Sequence, residues 1–175
     1  MRQLLLLRHA KSSWDDPKLP DHARPLNPRG RRAAESVREA LAGLGLRPDL
    51  VLVSSARRTL QTIEALEPWD PAPAVVPLDA LYLASAADLL ATLQSATRDA
   101  ACVLLVSHNP GLHDLALLLS GPDSDAHALA RLEEAYPTAA LAVFSLPGAW
   151  PDLAPAGATL RRFVRPEDPP APAQS

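Results

Sequence analysis

Three short apolar runs, each ending in a cluster of polar residues, constrain this chain more than any other feature. Leu4–Leu7 leads into Arg8-His9. Leu50–Val53 leads into Ser54, Ser55, Arg57 and Arg58, and Cys102–Val106 into Ser107-His108-Asn109. Continuous apolar runs of this length fit strands buried on both faces, which need a layer above and a layer below. The segments between them supply those layers. Ala33, Ala34, Val37, Ala40, Leu41 and Leu44 recur at helical spacing, as do Leu60, Ile63 and Leu66, then Leu89, Leu90 and Leu93, then Leu112, Leu115, Ala116 and Leu119. Asn27-Pro28 and Asn109-Pro110 read as a cap followed by proline in the first turn. Ser55 is placed to cap the second helix, and Ser85 with Asp88 resembles a capping box. A weaker strand is expected at Ala74–Val76, a short helix at His127–Ala135, and two late strands, which could pair antiparallel, at Ala139–Leu146 and Thr159–Val164.

Strand and helix thus alternate, which predicts an α/β three-layer sandwich: a mostly parallel central sheet with helices on both faces. The expected domain is residues 1–165. The remainder, 166–175, is Pro-rich and reads as a disordered tail. In parallel sheets ligands bind beyond the carboxyl ends of the strands. The three polar clusters would therefore share one edge, bringing two histidines and at least two arginines to one pocket. Arginine forks match the oxygens of a phosphate, and a neutral imidazole can attack phosphorus.

Composition narrows the alternatives. A net charge of −3 and a pI near 5.9 argue against a nucleic-acid partner. Cys102, the one cysteine, can form no internal disulfide and reads as a small buried hydrophobe. The N-terminal apolar run is too short for a signal peptide, and no stretch is long enough to span a bilayer, so a cytoplasmic protein without membrane attachment is expected. No cofactor is called for. The polar clusters offer two histidines but no convincing third metal ligand, and the neighbouring arginines would repel a cation.

The segments LLLLRHAKS, RPLNPRG, SSARRTLQT and VSHNPG, in this order, resemble the histidine phosphatase superfamily, the phosphoglycerate-mutase-like group, and within it the compact SixA-type phosphohistidine phosphatases. The resemblance implies that His9 is the nucleophile that takes up phosphate and that Arg8 binds the phosphoryl oxygens. It matches the family arginine to Arg58 rather than Arg57; adjacent helical residues point about 100° apart, so both would not reach one phosphate. His108 completes the implied pocket. The pattern gives no catalytic role to His22, His113 or His127. Many members carry a carboxylic acid that protonates the leaving oxygen; Asp79 is the nearest counterpart, and the compact branch often lacks a clear acid. The expected partner is a protein-borne phosphohistidine or a small phosphorylated substrate. The competing readings are a small-molecule phosphomonoesterase of the same superfamily and a phospho-ligand binding module without turnover.

Overall fold

A computed structural model describes residues 1–97 and 99–168. The apolar runs become strands at the centre of one sheet: β1 (Arg2–Arg8), β2 (Leu50–Ser54), β3 (Ala74–Leu78), β4 (Cys102–Ser107), β5 (Leu141–Leu146) and β6 (Thr159–Val164), in spatial order β3-β2-β4-β1-β5-β6. The first four are parallel; β5 is antiparallel to β1, and β6 to β5. The continuous runs occupy the middle because only there do both faces of a strand meet apolar layers. Leu4 and Leu6 belong to one core, Leu5 and Leu7 to the other, and all four are fully buried.

Among the described residues five α-helices make the outer layers: α1 (Pro28–Gly43), α2 (Arg57–Glu64), α3 (Ala86–Ala96), α4 (Gly111–Leu119) and α5 (Ala126–Glu134). Val37 and Leu41 of α1 and Ile63 of α2 close one core. Leu89 and Leu93 of α3, Leu112 and Leu115 of α4 and Leu132 of α5 close the other, together with the buried Trp150. No described helix is long and apolar enough to cross a membrane.

The capping pattern holds at two helices and fails at two. Asn27 Oδ1 accepts from the Gly30 amide with Pro28 in the first turn, and Ser85 Oγ accepts from the Asp88 amide. Ser55 does not cap α2; its hydroxyl meets His22 Nε2 at 2.9 Å, and Ala56 occupies the cap position. Asn109 does not cap α4, which starts after Pro110; its amide nitrogen donates to the Tyr136 carbonyl instead. In both cases a tertiary partner outcompetes the local backbone donor. The stretch expected to be disordered, 166–175, is ordered at its start: Asp168 accepts from Arg131 and from the Arg165 amide, while 169–175 lie outside the described residues.

Candidate active site

The three polar clusters meet at the carboxyl end of β1, β2 and β4. His9 directly follows β1, and its amide donates to the Ser107 carbonyl of β4. The loop after it is tied to α2, since Thr62 Oγ1 accepts from the Ala10 amide. Gln61 Oε1 accepts from the Leu26 amide, so the TLQT segment braces both loops flanking the pocket. Gly30 is required for the fit on the α1 side: a Cβ there would stand 2.1 Å from the Lys11 carbonyl oxygen.

The imidazoles are buried, His9 to 7% exposure and His108 to 2%, with ring centroids 5.2 Å apart. Their tautomers follow from their partners. His9 Nδ1 lies 2.7 Å from the Ala10 carbonyl, which can only accept, so Nδ1 carries the proton and Nε2 keeps its lone pair. Arg58 Nε donates to that lone pair at 3.4 Å. His108 Nδ1 lies 3.2 Å from Arg58 Nη2, which can only donate, so the His108 proton sits on Nε2 and is given to Ser54 Oγ at 2.7 Å. Burial, and then the nearby positive charges, hold His9 down to about 4; burial, His9 and Arg58 hold His108 down to about 3. Both rings are neutral near pH 7.

Arginines surround them. Arg58, 3% exposed, reaches the Asp21 carbonyl at 2.8 Å and Asp21 Oδ2 at 3.1 Å. Arg8 Nη1 donates to the Tyr136 carbonyl at 3.0 Å, while its Nε is buried without a hydrogen-bond partner. Burial and then the Arg58 charge push the Arg8 guanidinium below its ordinary value. Arg24 shares Asp21 and stacks on Trp14, its guanidinium carbon 3.5 Å from the ring centroid. Asp21 is held down to about 2, chiefly by the Tyr82 hydroxyl and further by Arg58 and Arg24. These groups border a cavity of about 290 Å³ lined by Arg8, His9, Arg24, Arg58 and His108, with Lys11, Ser12, Trp14, Leu83, Asn109 and Thr138.

The structure therefore brings Arg8, His9, Arg58 and His108 together. It does not bring Asp79 into the cavity lining: Asp79 opens a 3-10 turn after β3, exposed, with its carbonyl capped by the Tyr82 amide. The carboxylate behind the arginines is Asp21. The sequence pattern does not single out Arg24, Asp21 or Tyr82; the RPLNPRG segment, which contains Arg24, is the available signal for that residue. His113 Nε2 is engaged with the Leu132 carbonyl. Burial pushes the Cys102 thiol up to about 12, as suits a packing residue. Among the described residues no group of three or more His, Cys, Asp or Glu is arranged to hold a metal ion.

This architecture is shared with known proteins. A candidate SixA phosphohistidine phosphatase of Nakamurella multipartitia superposes with a TM-score of 0.83 at 34% identity, over 95% of this chain and 97% of the other. Its counterpart from Agrobacterium tumefaciens gives 0.78 at 31% identity, over 94% and 97%. A chloroplastic protein of Arabidopsis thaliana is 33% identical over 85% of this chain and 74% of its own length. The family model for the histidine phosphatase superfamily (branch 1) matches residues 4–79, which hold the Arg8-His9 pair, the loop with Arg24 and the Arg58 helix. The chain belongs to the histidine phosphatase superfamily.

Proposed function

We propose that the protein is a phosphatase that transfers a phosphoryl group to His9 Nε2 and then to water, with a phosphohistidine side chain of a protein as substrate. The observation that carries this reading is the pairing of an unprotonated, oriented imidazole nitrogen with a buried arginine set that lacks enough negative charge. Arg8 Nε has no partner, and Arg24 and Arg58 share one carboxylate. A phosphoryl group would supply the acceptors.

In the first step the Nε2 lone pair attacks phosphorus and the bond from phosphorus to the leaving atom breaks. His9 Nδ1–H stays on the Ala10 carbonyl and stabilises the positive charge that builds on the ring. Arg8, Arg24 and Arg58 take the equatorial oxygens, whose charge they match in a partly desolvated site. In the second step water attacks phosphorus, the N–P bond breaks, His9 regains its lone pair, and the water's protons remain with phosphate and solvent. His108 orients Arg58 through Nδ1 while Ser54 holds its other nitrogen.

The carboxylate on these arginines, Asp21, is tied to Arg24, Arg58 and the Tyr82 hydroxyl and held down to about 2, so it has no proton to give near pH 7. This favours a leaving group that needs no acid: an imidazole protonated on its far nitrogen departs neutral, whereas an alkoxide must be protonated as it leaves. The SixA-type neighbours above 30% identity support the same substrate class.

The test is a phosphoenzyme trap combined with a panel of phosphohistidine protein, aryl phosphate and sugar phosphate, all in EDTA. Guanidinium groups carry the charge work, so turnover is expected to persist in the chelator. An acid-labile, base-stable phosphoenzyme should map to His9, and folded His9→Ala should lose activity by at least about a thousandfold. Near-wild-type turnover by folded His9→Ala would refute the mechanism. Fastest hydrolysis of sugar phosphates would favour the small-molecule phosphomonoesterase, and binding with no turnover would favour a phospho-ligand module.

A further inference from the structure

Two of the chain's most exposed large apolar side chains, Trp14 at 75% and Leu83 at 56%, line the cavity around His9. Neither belongs to a hydrophobic core. Trp150, by comparison, is fully buried and gives its indole N–H to the Ala100 carbonyl. Trp14 touches the pocket's Arg24 guanidinium and otherwise stands open. The stack fixes the orientation of the indole before any ligand arrives, which lowers the entropic cost of using it.

Leu83 is held at φ +51°, a left-handed conformation that a γ-branched residue adopts only at a cost in free energy. The surroundings impose it. Ser107 Oγ donates to the carbonyl of the buried Leu81, and Gly111 at the start of α4 lies so close to Ala84 that a Cβ there would stand 1.9 Å from the Ala84 carbonyl oxygen. The loop is clamped on both sides of Leu83, and the residue it presents at the cavity is apolar.

A phosphoryl group has no use for apolar surface, and the arginines already match its oxygens. The indole and the leucine therefore serve the part of the substrate beyond phosphorus. We infer that Trp14 and Leu83 form an apolar lip that selects phosphoryl compounds whose leaving group is a planar ring, imidazole or aryl, over those leaving as an aliphatic alcohol. A flat ring gains stacking on indole that a hydroxylated alkyl chain does not. This inference rests on the phosphatase reading of the site and names its specificity determinants.

Binding of two non-hydrolysable probes, phenylphosphonate and methylphosphonate, tests it by calorimetry without relying on turnover. Wild type is expected to bind the phenyl compound about fivefold tighter. Trp14→Ala should erase most of that ratio, and Trp14→Phe, which keeps a ring over Arg24, should restore it. Leu83→Gly, which suits the positive φ, should lower the ratio in part. An equal ratio in wild type and both truncated variants would overturn the lip. So would an equal loss of both phosphonates in Trp14→Ala, since the indole would then serve only Arg24. If neither probe bound wild type, the phosphate-pocket reading and the lip would fall together. A ring preference that depends on Trp14 in a protein without turnover would support the lip and overturn the phosphatase reading alone.

Discussion

Two cavities in this molecule gather arginines, and they differ in how those arginines are paired. The larger, about 890 Å³, lies between α1, α5 and β6 and is lined by Arg131, Arg161, Arg162 and Arg165 among others. Arg131 is bound to Asp168 and to the Phe163 carbonyl, and Arg161 Nε donates to Ser145 Oγ. Arg165 makes no hydrogen bond through its buried Nε, but that nitrogen lies 3.5 Å from the Glu167 carboxylate and Nη1 3.5 Å from that of Glu134. The smaller, about 290 Å³, has Arg8, Arg24 and Arg58 served by the single carboxylate of Asp21, with Arg8 Nε unpartnered. Volume alone would favour the first cavity as a site. Charge count reverses the order: the large cleft sets Glu39, Asp125 and Asp168 in its lining, with Glu134 and Glu167 beside Arg165, against its four arginines, whereas the small one sets Arg8, Arg24 and Arg58 against Asp21 and keeps positive charge in a partly buried place where an anion would relieve it.

The sharpest way to break this comparison is to truncate one arginine in each cavity. Arg58→Ala is expected to lower kcat/KM by about a hundredfold or more, because it removes charge-assisted contacts to the transferring group and the anchor of both imidazoles. Arg131→Ala should leave kcat/KM within about twofold and cost about 1 kcal/mol or less of stability, read from urea unfolding, since its ion pair is part-exposed. Comparable losses of activity in both variants would mean that the large cleft communicates with catalysis.

The pH dependence of stability separates the regions next. His9 and His108 are neutral when folded down to about 4 and 3, yet would take up protons near pH 6.5 in the unfolded chain. The unfolded state therefore binds more protons between about pH 4 and 6.5. Stability is full above that window and falls as pH drops through it, with a slope of up to about 2.7 kcal/mol per pH unit for two imidazoles. Unfolding free energies across pH 4.5–7 should show this slope, and His108→Gln should remove about half of it. An unchanged slope would place the protonation elsewhere.

The smallest effect concerns Asp79. It lies outside the cavity lining, so Asp79→Asn should change kcat/KM by less than about twofold on phosphohistidine protein and on aryl phosphate alike. A tenfold loss on either substrate would bring that carboxylate back into the chemistry.

The reach of the sequence follows from locality. Strand runs such as Leu4–Leu7 and Cys102–Val106 were legible because both neighbours of a central strand must be apolar, and that demand is written in consecutive residues. The convergence of Arg8-His9, Arg58 and His108 was legible because parallel topology sends every strand's carboxyl end to one edge. The Asn27 and Ser85 caps were legible because their acceptors serve amides three residues on. Ser55 and Asn109 carry the same local pattern, but His22 and the Tyr136 carbonyl, 33 residues before and 27 residues after them, take their side chains.

What the tertiary structure alone decided lies mainly in the excursion between β1 and α1. Trp14, Asp21 and Arg24 stand in a stretch with no helical or strand period, so nothing local says where they point. Asp21 becomes the partner of Arg58 and Tyr82, 37 and 61 residues away, only once the excursion folds back over the sheet edge. The sequence by itself determined the layers, the strand ends and the residue types that meet there, because backbone period and burial act over a few residues. Which carboxylate pairs with which arginine, which imidazole nitrogen keeps its proton, and which arginine nitrogen is left unpartnered are settled by contacts across the chain, and only folding makes them.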